Sequence, residues 1–392
     1  MTRSQHRWQH RRIGIDYTSA VCQRAGIGRY TRGLIGALAE VDPAREYVLF
    51  MARPKARLAM RRDWPANFSL RTVPLSDRHL AIVWQRLRLP LPIELVTGRI
   101  ELFHSPDFVL PPVWCARTVL TVHDLSFLRL PECSSPPLLA YLMDAVPRSI
   151  ARADALLADS ESTRRDLIEL LHVPEDRIFV IYAGVDEHFR PEREPADAAR
   201  RKQYGLERPY ILGVGTLQPR KNFSGLIRAF HCLIEEHNVP HDLVIAGGKG
   251  WLYDDLFATV AQLGLEERVR VLGFVPDDDL PALYRGADVF AFPSLYEGFG
   301  IPVLEAMGCG TPVVTSNVSS LPEVAGDAAL QVPPDDLDGL ADALWRSISD
   351  SALREAQRAR GFQQVARFTW RRAAEDLIGV YARVAPSHGG PQ

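Results

Sequence analysis

Lysine is almost missing from this chain. Of 46 basic residues only Lys55, Lys202, Lys221 and Lys249 are lysines, and the rest are arginines. Genomic base composition accounts for a general arginine bias, so the four remaining lysines are the ones to watch. Net charge is also small, at −2. This excludes a nucleic-acid protein held by bulk charge, because such domains are strongly basic. Cysteine is scarce: Cys22, Cys115, Cys133, Cys232 and Cys309 are odd in number, widely spaced and free of any C-x-x-C pair. Neither a disulfide framework nor a zinc site is expected; buried free thiols in a reducing cytosol fit better. No run of about 18 apolar residues occurs, which excludes a spanning helix. The polar stretch Met1–Arg12 carries four arginines with no apolar segment behind it, so a signal peptide is not expected. It suits either a disordered start or contact with anionic lipid.

What is present reads as α/β. At 392 residues the chain is long enough for two or three domains. Short apolar strands alternate with helical patterns in two blocks, about 12–182 and 209–350. Such alternation predicts doubly wound parallel sheets. In the first block the expected strands are RIGIDY, YVLFMA, ELFH, TVLTVH, ALLAD and RIFVIY. In the second they are YILGVG, DLVIA, 269–272, VFAFP, TPVVTS and 328–332. The charged, proline-containing stretch 184–208 suits a connection between domains. Ligands of open parallel sheets bind beyond the carboxyl ends of the strands, so a cleft between two such sheets is the expected site.

The richest chemistry lies in FAFPSLYEGFGIPVLEAMGCGTP, residues 290–312. Pro302 suits a first helical turn, which is expected to hold Glu305 there and to leave Glu297 in the loop ahead. Gly298 and Gly300 let a ligand approach the backbone. Free N–H groups at the helix start, around Phe299, Gly300 and Ile301, favour phosphate oxygens. A capping loop with surface glutamates is the plainer alternative. A second signal is GVGTLQPRKN, where Arg220 and Lys221 follow a strand and could neutralise a diphosphate. Gly248 and Lys249, in GGKG, could line the same pocket or form an ordinary tight turn. In the first block, Gly26 and Gly28 open a helix but lack the third glycine of a dinucleotide fingerprint. His123 and Asp124 end one strand and could face substrate. His104 ends another and could line the acceptor side. Asp277, Asp278 and Asp279 resemble an acidic metal motif. They precede a short helix, however, and capping is the expected role. No metal is expected, and no cofactor.

Together GIGRY, TVHD, VGTLQPRKN and RGADVFAFPSLYEGFGIPVLEAMGCGTPVV resemble family 4 of the retaining glycosyltransferases, the group 1 enzymes with the two-Rossmann GT-B fold. The resemblance runs from Arg12 to about Tyr381. It implies an N-terminal acceptor domain at 12–190 and a C-terminal nucleotide-sugar donor domain at 205–370. A terminal helix, 371–385, would pack back on the first domain. It implies that Glu297 holds donor-sugar hydroxyls, Glu305 a ribose, and Arg220 and Lys221 the diphosphate. Gly28 would sit near the donor phosphates, His123 near the reacting sugar, and the backbone of Phe274 and Val275 near the base. The form VGTL-x-PRKN is similar to a mannosyltransferase-like branch. Many members carry arginine where this chain has Thr216, so Arg220 must supply that charge. Many also carry asparagine where this chain has Ala183. The implied enzyme is cytoplasmic, with a nucleotide-sugar donor and a glycan or lipid-linked saccharide acceptor. Peripheral contact with the inner membrane surface is part of the same expectation. The segment Leu75–Val96, with Trp84, would set acceptor choice or simply pack into the core. A nucleotide-sugar epimerase or hydrolase on the same fold, a dinucleotide-dependent oxidoreductase and a non-catalytic sugar-nucleotide-binding protein are the rival readings.

Overall fold

A computed structural model describes residues 11–23, 26–53 and 63–385. The arginine-rich start, Lys55 and the last residues, His388–Gln392, lie outside them. The chain forms two compact units. The first takes in residues up to Leu125, Ala140–Gly184 and the segment from Trp370 onward; the second takes in Ser126–Leu139 and Val185–Thr369.

The first unit is built on seven parallel strands. They are β1 (Arg12–Asp16), β2 (Glu46–Ala52), β3 (Phe68–Val73), β4 (Leu102–Ser105), β5 (Arg117–Val122), β6 (Ala155–Ala158) and β7 (Ile178–Val180). Their order is β3-β2-β1-β4-β5-β6-β7. β4 and β6 are buried along their whole length, as expected of strands covered on both faces. β3 is absent from the sequence reading. It is an edge strand with mostly outward residues, so FSLRTV carries no apolar run. The helices Ile27–Val41 and Trp370–Val384 pack together in this unit. Gly33 makes that approach possible, since a Cβ there would lie 2.2 Å from the Trp370 ring.

The second unit has six parallel strands: β8 (Tyr210–Val214), β9 (Asp242–Ala246), β10 (Val269–Gly273), β11 (Val289–Phe292), β12 (Val313–Ser316) and β13 (Ala329–Val332). The order β10-β9-β8-β11-β12-β13 reverses between β8 and β11. The carboxyl ends at such a reversal are where open sheets take ligands. The helices Phe223–His237 and Leu337–Ser349 press Leu226, Phe230, Leu233, Leu340 and Leu344 into one core with Ile211 and Val289. The stretch read as a connection contains a helix, Asp197–Gln203. Asp197 accepts from Arg285 Nε and Nη2, each at 2.7 Å, with both side chains buried.

The cysteines are free, but only Cys133 and Cys309 are buried as expected; Cys22 and Cys232 are half-buried and Cys115 is exposed. Asp279 precedes the helix Leu280–Gly286 without capping it through its side chain. Its carboxylate instead accepts from the Tyr204 hydroxyl at 2.7 Å and pairs with Arg200 at 3.4 Å. Among the described residues no helix is long and apolar enough to cross a membrane.

Candidate active site

In the second unit the carboxyl ends of β8 and β11 bring Arg220, Lys221 and Glu297 together. After β8 the chain passes Gly215, at φ 158, into a short turn, Pro219–Lys221. After β11 it turns at Pro293 and runs to Gly300, which holds φ 117 ahead of the helix Ile301–Gly308. Glu297 is buried. Its Oε2 accepts from Arg220 Nη1 at 2.9 Å and its Oε1 from Lys221 Nζ at 2.6 Å. Burial acts to raise the Glu297 pKa, but the two cations overcome it and hold the group at about 2. Arg220 also donates to the Tyr296 carbonyl at 2.6 Å, and Lys221 lies 4.8 Å from the Phe292 ring centroid.

A second layer fixes this loop. The Glu297 N–H donates to Ser319 Oγ at 2.8 Å. Ser320 Oγ donates to the carbonyls of Glu297 and Phe299 at 2.9 and 2.7 Å. Sequence reasoning passed over both serines, which lie far along the chain beyond β12. The Phe299 ring is buried edge-to-face against Phe368. Only its backbone is therefore left for a ligand, along with Gly300 and Ile301 at the helix start.

Glu305 departs from expectation. It stands on the second turn of its helix, not the first, because the helix begins at Ile301. It has no exposed surface, and its Oε2 accepts from the buried Tyr284 hydroxyl at 2.9 Å.

The GGKG turn packs on the turn after β8. A Cβ on Gly247 would lie 1.7 Å from the Gly215 carbonyl oxygen, and one on Gly250 2.5 Å from that of Leu217. These two glycines are required by close approach of backbone. Gly248 is different: its nearest neighbour in that direction is Phe274 Cβ at 3.9 Å. Lys249 is exposed, 5.6 Å from the Tyr253 ring centroid. Phe274 is exposed and Val275 buried. Gly248, Lys249, Phe274 and Val275 thus share the ends of β9 and β10.

In the first unit His123 follows β5 and is buried. Its Nδ1 lies 2.7 Å from Asp159 Oδ2, and its Nε2 lies 3.2 Å from the Pro106 carbonyl oxygen. A carbonyl can only accept, so Nε2 carries a proton; an ionised Asp159 requires one on Nδ1 as well. Burial acts to lower the His123 pKa, but Asp159, Asp107 and these hydrogen bonds outweigh it and raise it to about 9. Burial pushes up the carboxyls of Asp159 and Asp107, and Asp16 up to about 6. His123 is therefore an imidazolium set among acids. Asp159 was missed as a site residue, although its place at the end of the segment ALLAD was a signal. Asp124 is half-buried beside His123.

His104 is not on an acceptor surface. It is fully buried, with Nδ1 2.7 Å from the Tyr381 hydroxyl and Nε2 2.9 Å from Thr121 Oγ1. Burial drives its pKa down to about 3, with the charge of His123 adding to the effect. It is a neutral core histidine that ties β4 and β5 to the terminal helix. Gly28 also has a packing reason, since a Cβ there would lie 2.0 Å from the Gln23 carbonyl oxygen. Among the described residues no three His, Cys, Asp or Glu side chains group to hold a metal ion.

Residues 197–364 match the family model described as glycosyl transferases group 1, and residues 24–189 that of glycosyltransferase family 4. The chain is 35% identical over 371 residues to O-antigen chain mannosyltransferase B of Escherichia coli, covering 91% of this chain and 95% of that protein. It is 32% identical over 277 residues to the serotype-specific mannosyltransferase WbdA of Escherichia coli, covering 69% of this chain and 34% of that longer protein. Among solved structures, sucrose-phosphate synthase from Thermosynechococcus elongatus matches with a TM-score of 0.74 at 21% identity, covering 95% of this chain and 98% of the other.

Proposed function

The chain belongs to the group 1 glycosyl transferases and has their GT-B fold, and from that premise we propose that it transfers mannose from a nucleoside-diphosphate mannose to a hydroxyl of a glycan or lipid-linked saccharide. Transfer retains the anomeric configuration and needs no metal, and the enzyme works in the cytoplasm as a peripheral membrane protein. The identity shared with O-antigen chain mannosyltransferase B supports the choice of sugar and acceptor class.

The observation that carries the chemistry is the Arg220–Glu297–Lys221 cluster beyond β8 and β11. Two cations beside one carboxylate leave an excess positive charge where a diphosphate would depart. Preorganised charge at a departing group lowers the barrier because nothing reorganises as the bond breaks. That excess does what a divalent ion does for other leaving phosphates. The helix start at Gly300–Ile301 adds N–H donors. The sugar C1–O(phosphate) bond breaks, the C1–O(acceptor) bond forms, and the acceptor's proton passes to a phosphate oxygen of the leaving diphosphate. No side chain of the cluster serves as nucleophile, because both oxygens of Glu297 already accept from cations.

The test is donor turnover by the purified chain, with and without a mannan or lipid-linked acceptor and with excess chelator. Acceptor-dependent, chelator-resistant release of nucleoside diphosphate is expected, with an α-linked product from an α-linked donor. Equal turnover without acceptor would instead indicate a hydrolase or epimerase. Loss of turnover with chelator would overturn the metal-free route.

A further inference from the structure

The carboxyl ends of the first sheet carry a row of titratable side chains that the chemistry of the second unit does not use. β1, β4, β5 and β6 are neighbours in that sheet. Asp16 closes β1, Asp107 stands two residues past β4, His123 one past β5 and Asp159 one past β6. The histidine of the row is enclosed. Its nitrogens are engaged by Asp159 and the Pro106 carbonyl, and its ring meets Tyr30 edge-on at 4.9 Å and Phe108 at 5.4 Å. A ligand at these strand ends therefore meets the acids, not the imidazole.

Asp16 and Asp107 are half-buried, neither on open surface nor sealed in the core. Each gives one oxygen to a nearby backbone N–H: Asp16 Oδ1 accepts from Thr18 at 2.9 Å and Asp107 Oδ1 from Phe108 at 2.7 Å. The other oxygen of Asp107 lies 3.5 Å from Gln23 Nε2. Asp159 is 6% exposed, and its Oδ1 has no hydrogen-bond partner. Buried polar atoms are normally paired, so this end of the sheet holds carboxylate oxygens that call for donors. Half-buried aromatic rings stand beside them: Phe108 next to Asp107, and Tyr141, whose phenol is pushed up to about 12 by burial and then by the charge of Asp107. Two arginines border this end, and both have partners. Arg148 pairs with Asp144 at 2.6 Å, and Arg32 Nη1 donates to the Ala20 and Gln23 carbonyls, each at 2.8 Å.

We propose that these strand ends take the acceptor as an uncharged sugar residue, with hydroxyls donating to Asp107 and Asp16 and a sugar face against Phe108 and Tyr141, and that they reject a residue bearing phosphate or carboxylate. An ionised carboxylate only accepts hydrogen bonds. Sugar hydroxyls donate to it, whereas a phosphate brings more acceptors and a like charge, whose juxtaposition is costly. The aromatic rings add apolar surface for the C–H face of the sugar. Charge then sorts the two substrates: the anionic leaving group goes to Arg220 and Lys221, the neutral saccharide to the acids. The proposal rests on the transferase reading and narrows its acceptor.

The test is transfer by the full chain, from the nucleoside-diphosphate mannose it turns over, to methyl α-mannoside and to its 3- and 6-phosphates, at least one of which leaves the attacked hydroxyl free. The wild type should favour the neutral mannoside about a hundredfold in kcat/KM. Asp107→Asn should lose about tenfold with the neutral acceptor and narrow the preference by a similar factor, and Asp16→Asn should do the same to a smaller degree. Nucleoside diphosphate affinity, measured by calorimetry, should stay at the wild-type value in both variants and so report that they fold. The proposal fails if the phosphorylated mannosides match the neutral one in the wild type, or if both folded variants keep the wild-type preference. Failure of the transferase reading looks different, because no mannoside is then glycosylated. Saturation-transfer NMR decides in that case: signal is expected from methyl α-mannoside and none from its phosphates, and equal signals, or none from any, would overturn the proposal.

Discussion

The two units solve opposite electrostatic problems, each beyond the carboxyl ends of parallel strands. Beyond β5 and β6 of the first, a histidine is kept charged by acids around it. Beyond β8 and β11 of the second, a glutamate is kept charged by two cations. In both, burial opposes the charge and paired neighbours overcome it. The difference lies in what remains over. Around His123 the acids Asp159 and Asp107 outnumber the cation, so no excess positive charge faces a ligand. Around Glu297 the cations outnumber the acid, so positive charge is left for an anionic ligand. This is why we propose the second unit for the donor diphosphate.

The largest effect should come from removing that excess. Lys221→Ala should lower kcat by about a hundredfold or more, as loss of one preorganised donor does, measured by release of nucleoside diphosphate. Unchanged kinetics would remove Lys221 from the reaction. Next, Asp159→Asn should leave His123 without its ionised partner. The imidazole titration, followed by NMR, should fall from about 9 to below its ordinary value. A titration that stays near 9 would mean that Asp107 alone holds the proton.

The pH dependence of stability separates the groups further. His123, raised to about 9 from 6.5, contributes stability that is full below pH 6.5 and is lost as pH rises through 9. Glu297, lowered to about 2 from 4.5, contributes stability that is full above pH 4.5 and is lost as pH falls through 2. His104, lowered to about 3 from 6.5, costs stability as pH falls below 6.5, because only the unfolded chain accepts its proton there. Denaturant titrations of His104→Gln should therefore show a shallower decline between pH 6.5 and 4 than the wild type. An identical slope would mean that His104 is protonated in the folded chain. The smallest effect is local: Tyr381→Phe removes the hydroxyl next to His104 Nδ1 and should cost about 1 kcal/mol of stability, read by denaturant unfolding.

Much of this was legible in the sequence, for identifiable reasons. The buried strands of both sheets stand out as apolar runs because parallel strands are covered on both faces. β3 stayed hidden because an edge strand needs no such run. The glycine-rich loop with Glu297 and the Arg220–Lys221 turn could be found one at a time, each at a strand end. Their direct pairing could not, since 76 residues separate Lys221 from Glu297. His104 and His123 look alike in sequence, each closing a strand. Only their partners, Tyr381 and Thr121 for one and Asp159 for the other, make one neutral and the other charged. Of the three lysines among the described residues, Lys221 alone has a defined charged partner: its compact ammonium reaches one oxygen of Glu297 while Arg220 takes the other.

The central claim is that Glu297 holds two cations in the place where a diphosphate is received. Calorimetric titration of nucleoside diphosphate into the wild type and Glu297→Gln tests it most directly. The account predicts binding about tenfold tighter in the variant, whose cations no longer face a carboxylate, together with slower sugar transfer. Unchanged or weaker diphosphate binding in a correctly folded variant would contradict it.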